Sequence, residues 1–479
     1  MRTRFAPSPT GYMHIGNLRT ALYAYLIAKK HSGTFILRIE DTDMARFVEG
    51  ATEIIIDTLK IAGLHYDEGP DIGGPVAPYT QSERKAVYRT YAQLLCDKGA
   101  AYYCFCDSDD NDSYSAEIVD DACRGISYEE ALTRIETGAT YAIRMKAPRE
   151  GETTVHDMVF GEITVQNKTL DDMIMLKRDG MPTYNFANVI DDHLMGITHV
   201  LRGSEYISSA PKYNLLYSAF GWEVPSYITV SPIMRDAQNK LSKRNGDPTY
   251  DDLLRQGYLP DAVLNYIALH GWSPGGEREK YTLADLLEVF DVSGISRSPA
   301  IFDINKLNYF NSEYIRALAP DDFTKLAQPY IMKAIQNENI SIGAVASILH
   351  ARCEKLSDIP GKIDFFDSLP DYPVDLFTHK KSKTDETVSL AMLREAHAAL
   401  EVLPEWESGV IHSTLSSLAQ TLGVKNATLM WPVRIAVSGR AVTPGGAVEI
   451  CWILGREETL TRIAAGIEKL RCSSKVLKQ

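Results

Sequence analysis

The order of apolar and polar positions sets the architecture from the first residues. Arg2-Thr-Arg-Phe-Ala6, stopped by Pro7 and Pro9 and turned at Gly11, reads as a short strand. Leu18, Leu22, Tyr25 and Leu26 then recur at helical spacing, which predicts a helix after the turn that holds His14, Ile15, Gly16 and Asn17. Gly33 breaks that helix, and the apolar run Thr34 to Ile39 is rich enough in β-formers to be a buried parallel strand. Strand, helix and strand make a βαβ unit, the seed of a doubly wound sheet. From about Asp97 to Met181 the pattern changes. An acidic polar stretch, three clustered cysteines and the alternation of Tyr141 to Met145 predict an α+β insertion. Val189 to His193 then reads as a loop, Gly196 to Arg202 as a strand, and a helix begins near Ser208. Beyond Leu253 the spacing is helical throughout. Val345, Ile348, Leu349 and Leu356 form one stripe, Leu393, Ala396, Leu400 and Leu403 a second, and Ile411, Leu415, Leu418 and Leu422 a third. Between the first two lies Asp371 to Lys383, charged, aperiodic and linker-like.

Composition narrows the class. A chain of 479 residues, 45% hydrophobic and 24% charged, suits roughly three to five globular domains. No apolar run is long enough to span a bilayer, and the N-terminal residues lack the apolar core of a secretory signal, so a cytoplasmic protein is expected. Seven cysteines, an odd number, fit a reducing compartment better than a disulfide framework. The net charge of −13 argues against a general nucleic-acid coat, because phosphate binding relies on Lys and Arg. It leaves room for one cognate RNA held at a local basic face.

Two segments carry candidate chemistry. Ala6 to Gly16 (APSPTGYMHIG) sits between a strand and a helix start, where exposed amides and the helix dipole attract phosphate. Gly16 admits a nucleotide close to the backbone, and His14 can donate to a phosphate oxygen. Far along the chain, Lys240-Leu-Ser-Lys-Arg244 places cations where nucleotidyl transfer needs them. Read singly, the first is a Pro-rich turn with one histidine and the second a solvated basic turn.

Together they resemble the paired signature motifs of class I aminoacyl-tRNA synthetases. Further blocks narrow the resemblance to bacterial-type glutamyl-tRNA synthetases along nearly the whole chain: RFAPSPTG at Arg4, FILRIEDTD at Phe35, YTQSER at Tyr79, PTYNFANVIDDH at Pro182 and WPVRIAVSG at Trp431. The resemblance implies an α/β Rossmann-type catalytic domain in two halves (1–96 and 182–250) around a tRNA acceptor-binding insertion (97–181). A helical stem-contact domain (251–316) and two all-α anticodon-binding domains (317–380 and 381–479) follow. It implies ATP, L-glutamate and tRNA(Glu) as substrates of a monomeric enzyme, with Mg2+ shielding the ATP phosphates. Charging of tRNA(Gln) in addition or instead is the alternative within the family, and a non-catalytic tRNA-binding paralogue is the remote one. Glutaminyl-tRNA synthetase, the nearest rival, has a β-barrel anticodon half where this chain reads helical.

Residue by residue, the resemblance assigns Arg4 and Arg202 to the carboxylates of glutamate, a task suited to the planar guanidinium fork. Glu40, with Ala6, Ser8, Tyr184 and Asn188, would frame the ammonium and orient the amino acid. His14, Gly16, Asn17, Lys240, Ser242 and Lys243 would hold ATP, with Lys243 the main stabiliser of the transition state, assisted by Lys240 and His14. Asn17 departs from the class signature, which often has a second histidine there; it keeps hydrogen bonding but cannot carry charge. Arg352 would inspect the last anticodon base, which leans toward tRNA(Glu) alone. Many relatives carry zinc in the insertion, and Cys104, Cys106 and Cys123 offer three thiols. A structural zinc wants four ligands. Val119 stands where the family often has a tyrosine and no histidine closely follows Cys123, so three free thiols remain the alternative. Arg462, Lys469, Arg471, Lys475 and Lys478 make the C-terminal end basic, suited to RNA or to a solvated helix end.

Overall fold

The computed structural model describes residues 1–43, 46–106, 121–241 and 246–476. It divides into two compact units, Met1–Leu254 with Pro260–Ile304, and Arg255–Leu259 with Asn305–Gln479.

In the first unit, β1 (Arg2–Phe5), α1 (Ile15–Lys30) and β2 (Thr34–Leu37) form the expected βαβ unit, with Arg2 opposite Thr34 in a parallel pair. Helix α1 is buried almost all round, from Leu18 to Ala28 with the exception of Thr20, as befits a helix wrapped by other elements. Gly33 follows it because the backbone passes so close to Met1 that a Cβ would lie 2.1 Å from its carbonyl oxygen. After α2 (Ala51–Ile61) and α3 (Lys85–Asp97) comes the insertion: β3 (Ala101–Cys104), α4 (Tyr128–Glu136), β4 (Ala142–Met145), β5 (Glu152–Asp157), β6 (Gly161–Gln166) and β7 (Ile174–Leu176). Strands β3, β4 and β7 form a small antiparallel sheet. The β5–β6 hairpin turns away from it. Strand β5 pairs in parallel with β9 (Ser226–Val230), which pairs with β8 (His199–Gly203), giving a sheet of order β6-β5-β9-β8.

Val189 to His193, read as a loop, belongs to α5 (Tyr184–Leu194). Phe186, Ala187, Val189 and Ile190 are buried as helical periodicity demands, but so are Asp191 and Asp192. The polar letters that suggested a loop point inward to partners supplied by distant segments. The strand expected at Gly196 to Arg202 is β8, and the helix expected near Ser208 is α6 (Ala210–Phe220). A two-residue parallel pair, β10 (Ile233–Met234) with β11 (Ala300–Ile301), and helices α7 (Tyr250–Arg255), α8 (Pro260–Leu269) and α9 (Leu283–Val289) follow.

The second unit is helical: α10 (Ile304–Ala317), α11 (Pro320–Ala334), α12 (Ile342–Leu349), α13 (Ile359–Ile363), α14 (Glu386–Glu401), α15 (Ser408–Thr421), α16 (Asn426–Ser438), α17 (Ala447–Leu454) and α18 (Arg456–Val476). One apolar core runs through it from Phe323 and Leu349 to Leu393, Leu415, Val433 and Ile463. The second and third stripes ride on α14 and α15. The first is split, because α12 ends at Leu349 and Leu356 lies in a separate short turn. Asp371 to Lys383 is no linker: Tyr372, Phe377 and Ser382 are buried, and His379 pairs with Thr384 across a tight turn. The described basic residues of the C-terminal end are paired within the chain, although only Arg462 is buried. Arg462 is buried and donates to Glu458 and to the carbonyls of Phe365 and Val437, while Lys469 pairs with Asp371 and Arg471 with Glu468. The side chains of Lys475 and Lys478 lie outside the described residues. No described helix is long and apolar enough to cross a membrane.

Candidate active site

The first turn of α1 opens the site. His14 caps the helix, its Nδ1 accepting from the Gly16 N–H at 3.1 Å, and the amide ends of the helix face a cavity of about 320 Å³. Such an end favours an anion. The second motif arrives at the same place. Lys240 pairs with Met234 in a short hairpin, Leu241 donates its N–H to Ile233, and Thr249 bridges back to His14. His14, Gly16, Asn17 and Lys240 all line the cavity, as do Ala6 and Ser8 from the end of β1. Ser242 and Lys243 lie outside the described residues.

Across from the helix end stand Arg4, Glu40, Tyr184 and Arg202. Asn188 is not in the wall. It is buried beneath it, its Nδ2 donating to the Tyr184 carbonyl at 2.7 Å. The charges behind the wall form a closed network. Asp192 accepts from Arg4 Nε and Nη2 at 2.9 and 3.1 Å and from Arg38 Nη1 at 2.7 Å. Arg38, wholly buried, also donates to Glu40 at 2.9 Å. The preceding residue, Asp191, is held by Arg84, Gln81 and Tyr88 at 2.7, 2.9 and 2.8 Å. Burial alone would raise the Asp192 carboxyl, but Arg4 and Arg38 outweigh it and hold the group well below the usual carboxylate range. Burial lifts the Glu40 carboxyl above its ordinary value, offset in part by Arg38 and Arg4, so a cation beside it would favour its ionised form.

Arg202 is different. It is buried, its Nη2 stands 3.8 Å from Asp192, and Nε and Nη1 have no hydrogen-bond partner among the described residues. The rings of Tyr213, Tyr227 and Tyr206 lie 4.7, 5.5 and 5.9 Å from its Cζ and shield it from water. Counting the charges in contact at and behind this wall, Arg4, Arg38, Arg84 and Arg202 give four positive against Glu40, Asp191 and Asp192, three negative, a surplus of one. A buried guanidinium without its anion is costly, and a carboxylate entering the cavity would relieve that cost.

Arg38 and Asp192 were not singled out from sequence. The available signals were a charged letter inside the apolar strand Phe35 to Ile39 and two acids on the buried face of a helix.

In the insertion, Cys104, Cys106 and Cys123 come together with Asp121, their ligand atoms all within 4.8 Å of one another. Asp121 is the fourth donor that sequence reading lacked; Val119 lies outside the described residues. Three thiols and a carboxylate fit a tetrahedral zinc.

The second unit holds a separate cavity of about 610 Å³ lined by Arg352, His379, Trp431, Arg434 and Val442. His379 stacks on Trp431 at 3.8 Å, Arg434 lies 4.6 Å over the same ring, and Arg352 donates to the Thr443 carbonyl at 3.2 Å. Flat rings flanked by guanidinium suit an unpaired nucleobase. Sequence reading found only Arg352, because the other walls come from segments far apart along the chain.

A family model described as tRNA synthetases class I (E and Q), catalytic domain, matches residues 1–309, and one described as an anticodon binding domain matches residues 322–467. Glutamate–tRNA ligases of Clostridium tetani and Clostridium botulinum (strain Hall) are 55% and 54% identical, each alignment covering 98% of this chain and 98% and 99% of theirs. A crystal structure of a glutamate tRNA ligase from Elizabethkingia meningosepticum in complex with its amino acid superimposes with a TM-score of 0.86 at 32% identity, covering 98% of this chain and 99% of that one.

Proposed function

The chain belongs to the glutamate–tRNA ligases of the class I aminoacyl-tRNA synthetases, and from that premise we propose that the cavity activates L-glutamate with ATP and passes it to tRNA(Glu). The observation that carries this reading is the surplus positive charge at Arg202. The main-chain carboxylate of glutamate must stay free to attack phosphorus, so the guanidinium with open donors takes the side-chain carboxylate. Arg4 assists with what it has left: three of its five N–H groups are engaged by Asp192 and Leu201. Glu40 faces the substrate ammonium, with Ala6, Ser8 and Tyr184 shaping the space and Asn188 supporting Tyr184 from behind. Glutamine brings no charge and leaves the surplus uncompensated.

The glutamate main-chain carboxylate attacks the α-phosphorus of ATP in line and pyrophosphate departs, leaving glutamyl-adenylate. His14, the amides at Gly16 and Asn17, and Lys240 hold the phosphates, and Lys243, with Ser242 beside it, is assigned from sequence to the charge that develops at the transition state. Mg2+ screens the triphosphate when bound. Among the described lining residues only Glu40 and Glu205 are acidic, so that ion would be held chiefly by phosphate oxygens. The 2′-hydroxyl of the terminal adenosine then attacks the activated carbonyl and AMP leaves. The 1–96 and 182–250 segments perform this chemistry, 97–181 receives the acceptor end, and the helical segments 251–316, 317–380 and 381–479 read the stem and anticodon. The free state of all seven cysteines suits the reducing cytoplasm, and we propose that the enzyme acts there as a monomer.

Arg352 and the stacked pair beside it support selection at the anticodon. Purified protein should glutamylate tRNA(Glu) well and tRNA(Gln) poorly under matched conditions. Comparable rates on both tRNAs would replace this reading with that of a non-discriminating enzyme.

We also propose that Cys104, Cys106, Cys123 and Asp121 hold a structural Zn2+. Elemental analysis of the purified chain should give close to one zinc per molecule. Asp121→Asn should release that zinc to a competing chelator at least ~10-fold more readily, as expected when the donor set is weakened. Zinc-free protein with normal thermal stability would count against the site.

A further inference from the structure

Asp192 lies between three guanidiniums but bonds to two of them. Its Oδ1 accepts from Arg4 Nε at 2.9 Å and Arg38 Nη1 at 2.7 Å, its Oδ2 accepts from Arg4 Nη2 at 3.1 Å, and Arg202 Nη2 remains at 3.8 Å from Oδ2. We propose that Arg38 is a positioning residue that sets the preference for glutamate over glutamine, by keeping Asp192 and Glu40 engaged so that the donors of Arg202 stay open to the substrate. This rests on the assignment of the cavity to glutamate and goes one layer behind it, to a side chain that is wholly buried and touches no substrate.

Arg38 bridges two anions at once, Nη1 on Asp192 and Nη2 on Glu40 at 2.9 Å, a task that needs the fork of arginine. Its Nε also lies 3.8 Å from Asp191, which Arg84 continues to hold, so without Arg38 the four positive charges against three negative become three against three. Asp192, short of a cation, has Arg202 as its nearest cation not yet hydrogen-bonded to it, and a shift of about 1 Å would bring the pair to bonding distance. The same movement consumes a donor of Arg202 and neutralises the surplus charge. The cavity then loses its electrostatic demand for an anionic side chain, while a neutral amide is no worse placed than before. Specificity is a difference between two affinities, and Arg38 acts on that difference through the partner it denies to Arg202.

The experiment uses the full-length chain with tRNA(Glu) and ATP, measuring kcat and KM for glutamate and the inhibition constant of glutamine. In Arg38→Gln the KM for glutamate should rise about tenfold or more with a smaller change in kcat, and the inhibition constant of glutamine should stay level or fall, so that the ratio of the two narrows by at least ~10-fold. Arg38→Lys keeps the charge but offers one ammonium where two donors are needed, so it should fall between wild type and Arg38→Gln; it carries the test if Arg38→Gln does not fold. A merely structural Arg38 would weaken both ligands in parallel or lower only the thermal midpoint, and an unchanged glutamate-to-glutamine ratio in the folded variants overturns the proposal. Failure of the unmodified chain to charge glutamate would instead sink the underlying assignment of the cavity.

Discussion

Replacing Arg202 by glutamine is expected to lower kcat/KM for glutamate about a thousandfold, read as tRNA-dependent glutamylation at saturating ATP. Removing one partner of a buried charge pair costs about 3–5 kcal/mol, and each 1.36 kcal/mol is a factor of ten in rate. The substrate carboxylate would meet an amide where it needs a cation, in a pocket closed by three tyrosine rings. Two controls separate this from damage to the fold. Glutamine as a competing ligand should lose little or nothing, since it never used the charge. The thermal midpoint of the unliganded protein should hold or rise, because the substitution removes a buried cation whose Nε and Nη1 have no partner. A variant that keeps near-normal kcat/KM for glutamate would show that the carboxylate is read elsewhere.

Lys243→Ala is expected to slow formation of glutamyl-adenylate by about a hundredfold or more, the usual cost of losing one preorganised transition-state donor. The chain reaches the cavity wall at Lys240 and Leu241 and returns to it where Thr249 meets His14, and Lys243 is in the interval. Because the effect falls on developing charge, KM for glutamate should change far less than kcat. Pyrophosphate exchange in the presence of tRNA checks both constants, and an exchange rate close to wild type would remove Lys243 from the mechanism.

How much of this was legible in the sequence depended on the kind of signal. The opening βαβ unit was read correctly because Leu18, Leu22, Tyr25 and Leu26 are apolar at one spacing and the run after Gly33 at another. Periodicity also found α14 and α15. It failed at α5, where Asp191 and Asp192 face inward: hydropathy marks such residues as exposed, and only Arg4 of β1, Arg38 just after β2, Gln81 and Arg84 of the turn before α3, and Tyr88 of α3 make their burial affordable. Asp371 to Lys383 failed for a related reason. Its order comes from a few buried anchors, Tyr372, Phe377 and Ser382, and from a turn closed between His379 and Thr384, none of which leaves a period. Most of the candidate residues that short motifs carry line one cavity. Residues brought together only by the tertiary fold left no such mark: Asp121 is separated from Cys106 by fourteen residues, 107–120, that give no hint of its convergence with the thiols, and Arg38 reads as a stray charge in a strand.

The β5–β6 hairpin makes the insertion a poor candidate for excision or exchange as a cassette. Its strand β5 pairs with β9 at Asp157 and Tyr227, so cutting the chain at 97 and 181 would strip two strands from the edge of the sheet that presents Arg202 and bare the backbone of β9. An exposed ladder of that kind recruits other chains. A chimaera that borrows the segment of a relative corresponding to 97–181 would therefore keep Glu152 to Gln166 native and graft only the parts on either side of it.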